Sequence, residues 1–335
     1  MDTLIYAFNA VAPILILIAL GYVLKRVMKL SERFFSELNN FCYRILLPVQ
    51  LFHNVYKVER FSDINWRVIG YTMALIPVAI LIGIILAKPL IADKKQKGAF
   101  IQAAFRSNQA IMGLPLAISL GGDEAAVIAS IATSIGIPIF NVSAVIILNA
   151  YSEKKAKESN LKRIFLGLIK NPLIIGVTIG LLCVGVRYLL PEENGVPIFT
   201  IQSNLPFLYT VIGNLSSVAS PVMLICLGAC LDFKLTKSLV LKIAAGVSLR
   251  LIVIPAIAIG GALLLKSPLG VTSAEIPMLV AFFGSPVAVS SAILVRETGG
   301  DEQYASQLVI WSSALSILTL FTIIAILRGT GYLLA

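Results

Sequence analysis

GAFIQAAFRSNQAIMGLPLAISLGG, residues 98–122, is apolar towards both ends and polar near its middle. It reads as a membrane-spanning helix interrupted at Arg106, Ser107, Asn108, Gln109, Gly113 and Pro115. A second stretch, PMLVAFFGSPVAVSSAILVRETGG at 277–300, is interrupted in the same way at Gly284, Ser285 and Pro286. Each ends in the same run, Gly121-Gly122-Asp123-Glu124 and Gly299-Gly300-Asp301-Glu302. Two broken hydrophobic segments in corresponding positions of two halves are the sequence mark of a solute-binding site within a membrane.

Composition agrees. Of 335 residues, 58% are hydrophobic and 13% charged, against about 25% charged in a soluble domain. This is the composition of a polytopic membrane protein. The net charge of +10 does not indicate nucleic acid, because the basic residues lie in short loops between apolar runs. Cys42, Cys183, Cys226 and Cys230 lie inside apolar spans without metal-type spacing and read as packing residues. With His53 the only histidine, neither a histidine zinc site nor a Ser-His-Asp triad has its parts. No enzyme, cofactor or metal is expected.

Outward from the two broken segments, the chain divides into ten apolar spans. They run over about 4–24, 34–56, 66–88, 98–122, 125–151, 171–190, 205–231, 239–265, 277–300 and 303–327. The first has Lys25, Arg26, Lys29 and Arg33 after it and no basic residue before it, the reverse of a signal peptide. The polar run 152–163 joins a first five-span repeat (1–151) to a second (164–335). Loops on one side carry 18 Lys and Arg against 6 on the other, so the positive-inside rule puts both termini outside and 152–163 in the cytoplasm. An odd number of spans per half makes the repeats inverted. One misfit remains: Pro115 lies 6 residues before its Gly-Gly and Pro286 lies 13 before, so that Pro286 aligns with Asn108 and the breaks differ by about two turns.

An interrupted helix exposes backbone groups that hydrocarbon cannot satisfy. Ser285-Pro286 reads as an N-cap with proline at the first helical position, presenting a positive helix end to an anion. Gly113-Leu114-Pro115 reads as the end of one half-helix and the start of another, with Asn108 and Gln109 supplying amides. Arg106 and Arg250, charged within spans, mark function by default, although either could cap carbonyls. The candidate substrate-binding residues are Arg106, Asn108, Gln109, Gly113, Pro115, Gly284, Ser285, Pro286 and Ser290. Asn141, Gln307 and Arg250 are candidates for an ion site or a hydrogen-bonded network. Asp123-Glu124 and Asp301-Glu302 read as helix caps.

The chain resembles the auxin efflux carrier family, the plant PIN carriers and their bacterial relatives, some of them linked to malonate or malate transport. The resemblance is carried by LPVQLFHNV (47–55), SNQAIMGLPL (107–116), KNPLIIGVTIGLL (170–182), SPVMLICLGACL (220–231), SLRLIVIP (248–255) and GSPVAVSSAILV (284–295). It implies that spans four and nine cross at their breaks to form the substrate site, with Asn108, Pro115 and Pro286 at the crossover. It also implies a mobile domain of spans three to five and eight to ten against a scaffold of spans one, two, six and seven, often dimeric. The expected function is secondary active transport of a small organic anion such as a carboxylate across the plasma membrane, with a proton or sodium ion as candidate coupling ion. A passive uniporter or channel is the rival reading, and a sensing receptor stands behind it. No GxxxxGK[ST] motif occurs.

Overall fold

The computed structural model describes residues 2–58, 64–152, 171–193, 196–231, 233 and 237–333. Most of the 152–163 run lies outside them. Apart from a two-residue hairpin pairing Glu192-Glu193 with Val196-Pro197, the described chain is helical. Among the described residues, seven helical stretches are long and apolar enough to cross a membrane.

In chain order, α1 is Asp2–Val27 and α2 covers 32–56. Helix α3 is Trp66–Leu90, and α4 is Lys94–Phe105. After a break at 106–108, α5 covers 109–120 and α6 covers 123–150. Beyond the basic run come α7 (Pro172–Leu189), α8 (Pro206–Ala229) and α9 (Val240–Leu264). Helix α10 (Glu275–Gly284) and α11 (Ser290–Glu297) flank the second break, and α12 is Glu302–Gly329.

Prolines shape these helices in a recurring way. A proline has no N–H, and its ring crowds the carbonyl one turn back, so a local widening to i→i+5 bonding relieves it. Five-residue π-turns at Cys42–Leu46, Gln109–Gly113 and Leu249–Val253 each end two residues before a proline, namely Pro48, Pro115 and Pro255. Pro115 is therefore a kink inside a continuing helix. Gly113 is likewise helical (φ −68°, ψ −47°), so no half-helix ends there, contrary to the sequence reading. The first break lies at Arg106 (φ −83°, ψ 93°) and Asn108 (φ −84°, ψ 40°).

The second break also differs in detail. Ser285 ends α10 in extended conformation (φ −65°, ψ 147°), as a residue before proline prefers. Helix α11 starts only at Ser290, so Ser285-Pro286 is not its N-cap. The reason is long-range pairing. Asn108 N donates to Pro286 O (2.8 Å) and Ala288 N donates to Arg106 O (3.0 Å), an antiparallel bridge of Ser107 with Val287. Val287 N is taken by Ser312 Oγ on α12 (3.0 Å). With these groups committed to neighbours, 286–288 cannot turn into helix. The breaks centre on Ser107 and Val287, 14 and 12 residues before their Gly-Gly pairs, so they correspond to within two residues and not two turns.

The Gly-Gly runs are turns in both halves. Gly122 (φ 58°) and Gly299 (φ 77°) take left-handed backbone that a side chain would strain. Asp301 caps α12 through Tyr304 N (2.9 Å), as read from the sequence, whereas Asp123 meets Lys57 (2.8 Å). Helix α1 packs on α8, and α2 packs on α7. Gly21 faces the Ile225 carbonyl and Gly228 the Ile18 carbonyl so closely that a Cβ at either would overlap backbone, the small-residue contact by which membrane helices approach.

Candidate functional site

Where the two broken segments meet, four half-helix ends converge, and the two kinds of end have different neighbours. The carbonyl ends of α4 and α10 carry negative partial charge and meet Arg250, which is 1% exposed. Its Nε donates to Ser285 O (2.8 Å), one terminal nitrogen to Ala104 O (3.2 Å) and the other to Phe282 O (3.1 Å). Phe282 O also accepts from Ser107 Oγ (2.6 Å). Arg250 is thus a clasp on backbone carbonyls, the capping alternative of the sequence reading. Ser285 Oγ turns back to donate to Ala281 O (2.5 Å) in its own helix.

The starts of α5 and α11 face a cavity of about 140 Å³. Arg106, Ser107, Asn108 and Gln109 line it from the first break, and Ala288, Val289, Ser290 and Ile293 from the second. Asn39 and Tyr43 on α2, Met223 on α8, and Ile137, Phe140 and Asn141 on α6 also line it. One terminal nitrogen of Arg106 donates to Asn141 Oδ1 (2.9 Å) and to Ser290 Oγ (3.2 Å). The other, together with Asn108 Nδ2 and both polar atoms of the Gln109 amide, is buried without a protein partner. Buried polar groups are ordinarily satisfied, so unpartnered donors gathered at one cavity mark a place for a polar ligand or ordered water. Among the described residues lining the cavity none is acidic, leaving the Arg106 charge uncompensated there.

Of the predicted substrate-binding residues, the structure brings Arg106, Asn108, Gln109 and Ser290 to the cavity, and Asn141 joins them. Gly113, Pro115, Gly284, Ser285 and Pro286 do not line it. Gly113 has a packing role, since a Cβ there would stand 2.6 Å from Ala281 O. Pro286 contributes its carbonyl to the backbone N–H of Asn108. Gln307 lies elsewhere and accepts from Trp311 Nε1 (3.0 Å). Sequence reasoning missed Asn39 and Tyr43. Their spacing of four puts them on one face of α2, a polar pair entering an apolar span, but nothing local says which helix that face meets.

Similarity to known proteins extends over nearly the whole chain. Residues 6–324 match the family model described as membrane transport protein. An uncharacterized transporter of Methanothermobacter thermautotrophicus is 24% identical over 320 residues, covering 93% of this chain and 95% of its own.

Proposed function

Because the chain belongs to the membrane transport protein family, the family of auxin efflux carrier-like proteins, we propose that it is a secondary active carrier of a small organic anion. The carrying observation is the uncompensated Arg106 guanidinium at a cavity with unpartnered Asn108 and Gln109 donors. Two helix starts, at Gln109 and Ser290, add positive partial charge on the same side. One fixed cation suits a carboxylate, and the Ile137, Phe140, Met223 and Ile293 walls suit a short carbon skeleton. The volume of about 140 Å³ is near the roughly 150 Å³ of a cavity that accommodates benzene, which favours a ligand of about six heavy atoms.

In this reading the helices form ten passes in two inverted five-pass repeats, with α4–α5 and α10–α11 as crossing broken spans. The basic loops face the cytoplasm of a cell whose plasma membrane holds the protein. Alternating access moves α3–α6 with α9–α12 against α1, α2, α7 and α8.

The test is transport in proteoliposomes. Labelled short mono- and dicarboxylates should show saturable counterflow, which a channel lacks. Arg106→Gln removes a charge-assisted hydrogen bond worth about 1.5–3 kcal/mol. It should weaken carboxylate binding by roughly 10- to 150-fold and binding of the neutral amide analogue far less. Equal losses for the two ligands would refute charge selection by Arg106.

A further inference from the structure

We propose that the ion pair between Lys57, at the end of α2, and Asp123, at the start of α6, is the latch that closes the solute path on the side of the molecule opposite the cavity opening. It rests on the carrier reading above, since a latch implies a second, unlatched state. Lys57 Nζ and Asp123 Oδ1 are 2.8 Å apart. Three further contacts join the same groups of helices near the same end. Tyr6 OH donates to Leu120 O (3.2 Å), Ser119 Oγ to Ala10 O (3.4 Å), and Asn54 Nδ2 to Ser130 Oγ (3.0 Å). Beneath the ion pair the path is packed shut, with Ser130 and Val55 fully buried and Asn54 and Ala126 nearly so.

The cavity sits towards the other end. Tyr43 and Asn141 lie 14 and 18 residues from Lys57 and Asp123, about 21 and 27 Å along their helices. There Ser290 and Ile293 are exposed. One end is therefore held by polar cross-links between α1–α2 and α5–α6, while towards the other the cavity reaches the surface at Ser290 and Ile293.

Latch strength is set by exposure. With Lys57 28% and Asp123 71% exposed, the pair biases the equilibrium by roughly 1.4- to 5-fold. That is enough to tilt two states and too little to lock one, as a carrier that must cycle requires.

Ala126 is a reporter for opening. It precedes Ser130 by one turn, on the face of α6 that Asn54 covers. In a variant with the four native cysteines replaced by alanine, the rate at which Ala126→Cys reacts with a water-soluble thiol reagent in detergent measures how often this end opens. Lys57→Asp, which turns attraction into repulsion, should raise that rate about fivefold. Lys57→Arg should leave it unchanged, and the exchange Lys57→Asp with Asp123→Lys should return most of the difference. An unchanged rate in Lys57→Asp, or an exchange variant as reactive as the single one, would overturn the latch. The readout needs no transported solute. The expected rates in a protein without counterflow would sink the carrier reading and keep the latch, and flat rates with intact counterflow would do the reverse.

Discussion

Replacing Arg250 with Gln tests the division of labour between the two intramembrane arginines. Three carbonyls, Ser285 O, Ala104 O and Phe282 O, would lose a charged donor at distances of 2.8, 3.2 and 3.1 Å. Hydrogen bonds to charged groups contribute about 1.5–3 kcal/mol each, so their gross loss is about 4.5–9 kcal/mol. Burying the guanidinium costs several kcal/mol, which offsets part of this, and Phe282 O keeps Ser107 Oγ. A net destabilisation of about 3–5 kcal/mol follows, as for other broken buried networks. Thermal unfolding in detergent, followed by monodispersity and tryptophan emission, should show a clear fall in midpoint and in folded yield. Arg250→Lys should fall between, because an ammonium cannot reach all three carbonyls in their fork geometry. For the folded fraction of Arg250→Gln, the ratio of carboxylate to amide affinity should match the parent. A variant as stable as the parent that has lost anion preference would refute the clasp and return Arg250 to the solute site.

Asn141→Asp should place a carboxylate against Arg106, 2.9 Å away across the present hydrogen bond, and cost anion affinity at least tenfold, about 1.4 kcal/mol, by isothermal titration; unchanged affinity would mean that Arg106 does not hold the anion. Gly113→Ala puts a Cβ 2.6 Å from Ala281 O and should destabilise by about 1–3 kcal/mol in the same melt, with ligand preference intact in whatever folds. A tag within 154–158 should be shielded from impermeant reagents in intact cells, while one at Ala335 is reached; the opposite pattern would overturn the positive-inside orientation.

Much of this fold is legible in the sequence because membranes make local rules strict. Hydrocarbon admits only backbones paired within helices or closed barrels, and a barrel strand needs far fewer apolar residues than a helix, so apolar length alone marks α1, α3, α7, α8, α9 and α12. The repeated Gly-Gly-Asp-Glu run marks both turns, but the two-turn offset that the prolines suggest is not found, since the breaks at Ser107 and Val287 lie within two residues of each other when the halves are aligned on that run. Pro115 was the misleading marker. A proline declares that the helix must adjust, but whether it widens into a π-turn, as before Pro48, Pro115 and Pro255, or breaks, as at Pro286, depends on partners outside the helix. At 106–108 there is no proline at all. That break is held by Pro286 O and Ala288 N, about 180 residues away in the chain.

The arginines make the same point. Arg106 and Arg250 look alike in sequence, each a single charge in an apolar run with a proline 9 or 5 residues on. Residue type and hydropathy determine that each must face protein, since neither can face lipid. Which becomes a clasp and which remains available is decided by what packing brings within reach: three backbone carbonyls around Arg250, and two side-chain oxygens beside a cavity for Arg106. Hydropathy and helix signals act over one turn or one membrane thickness. The pairing of Ser107 with Val287, and the arrival of Asn39 and Tyr43 from α2, arise only when distant segments meet.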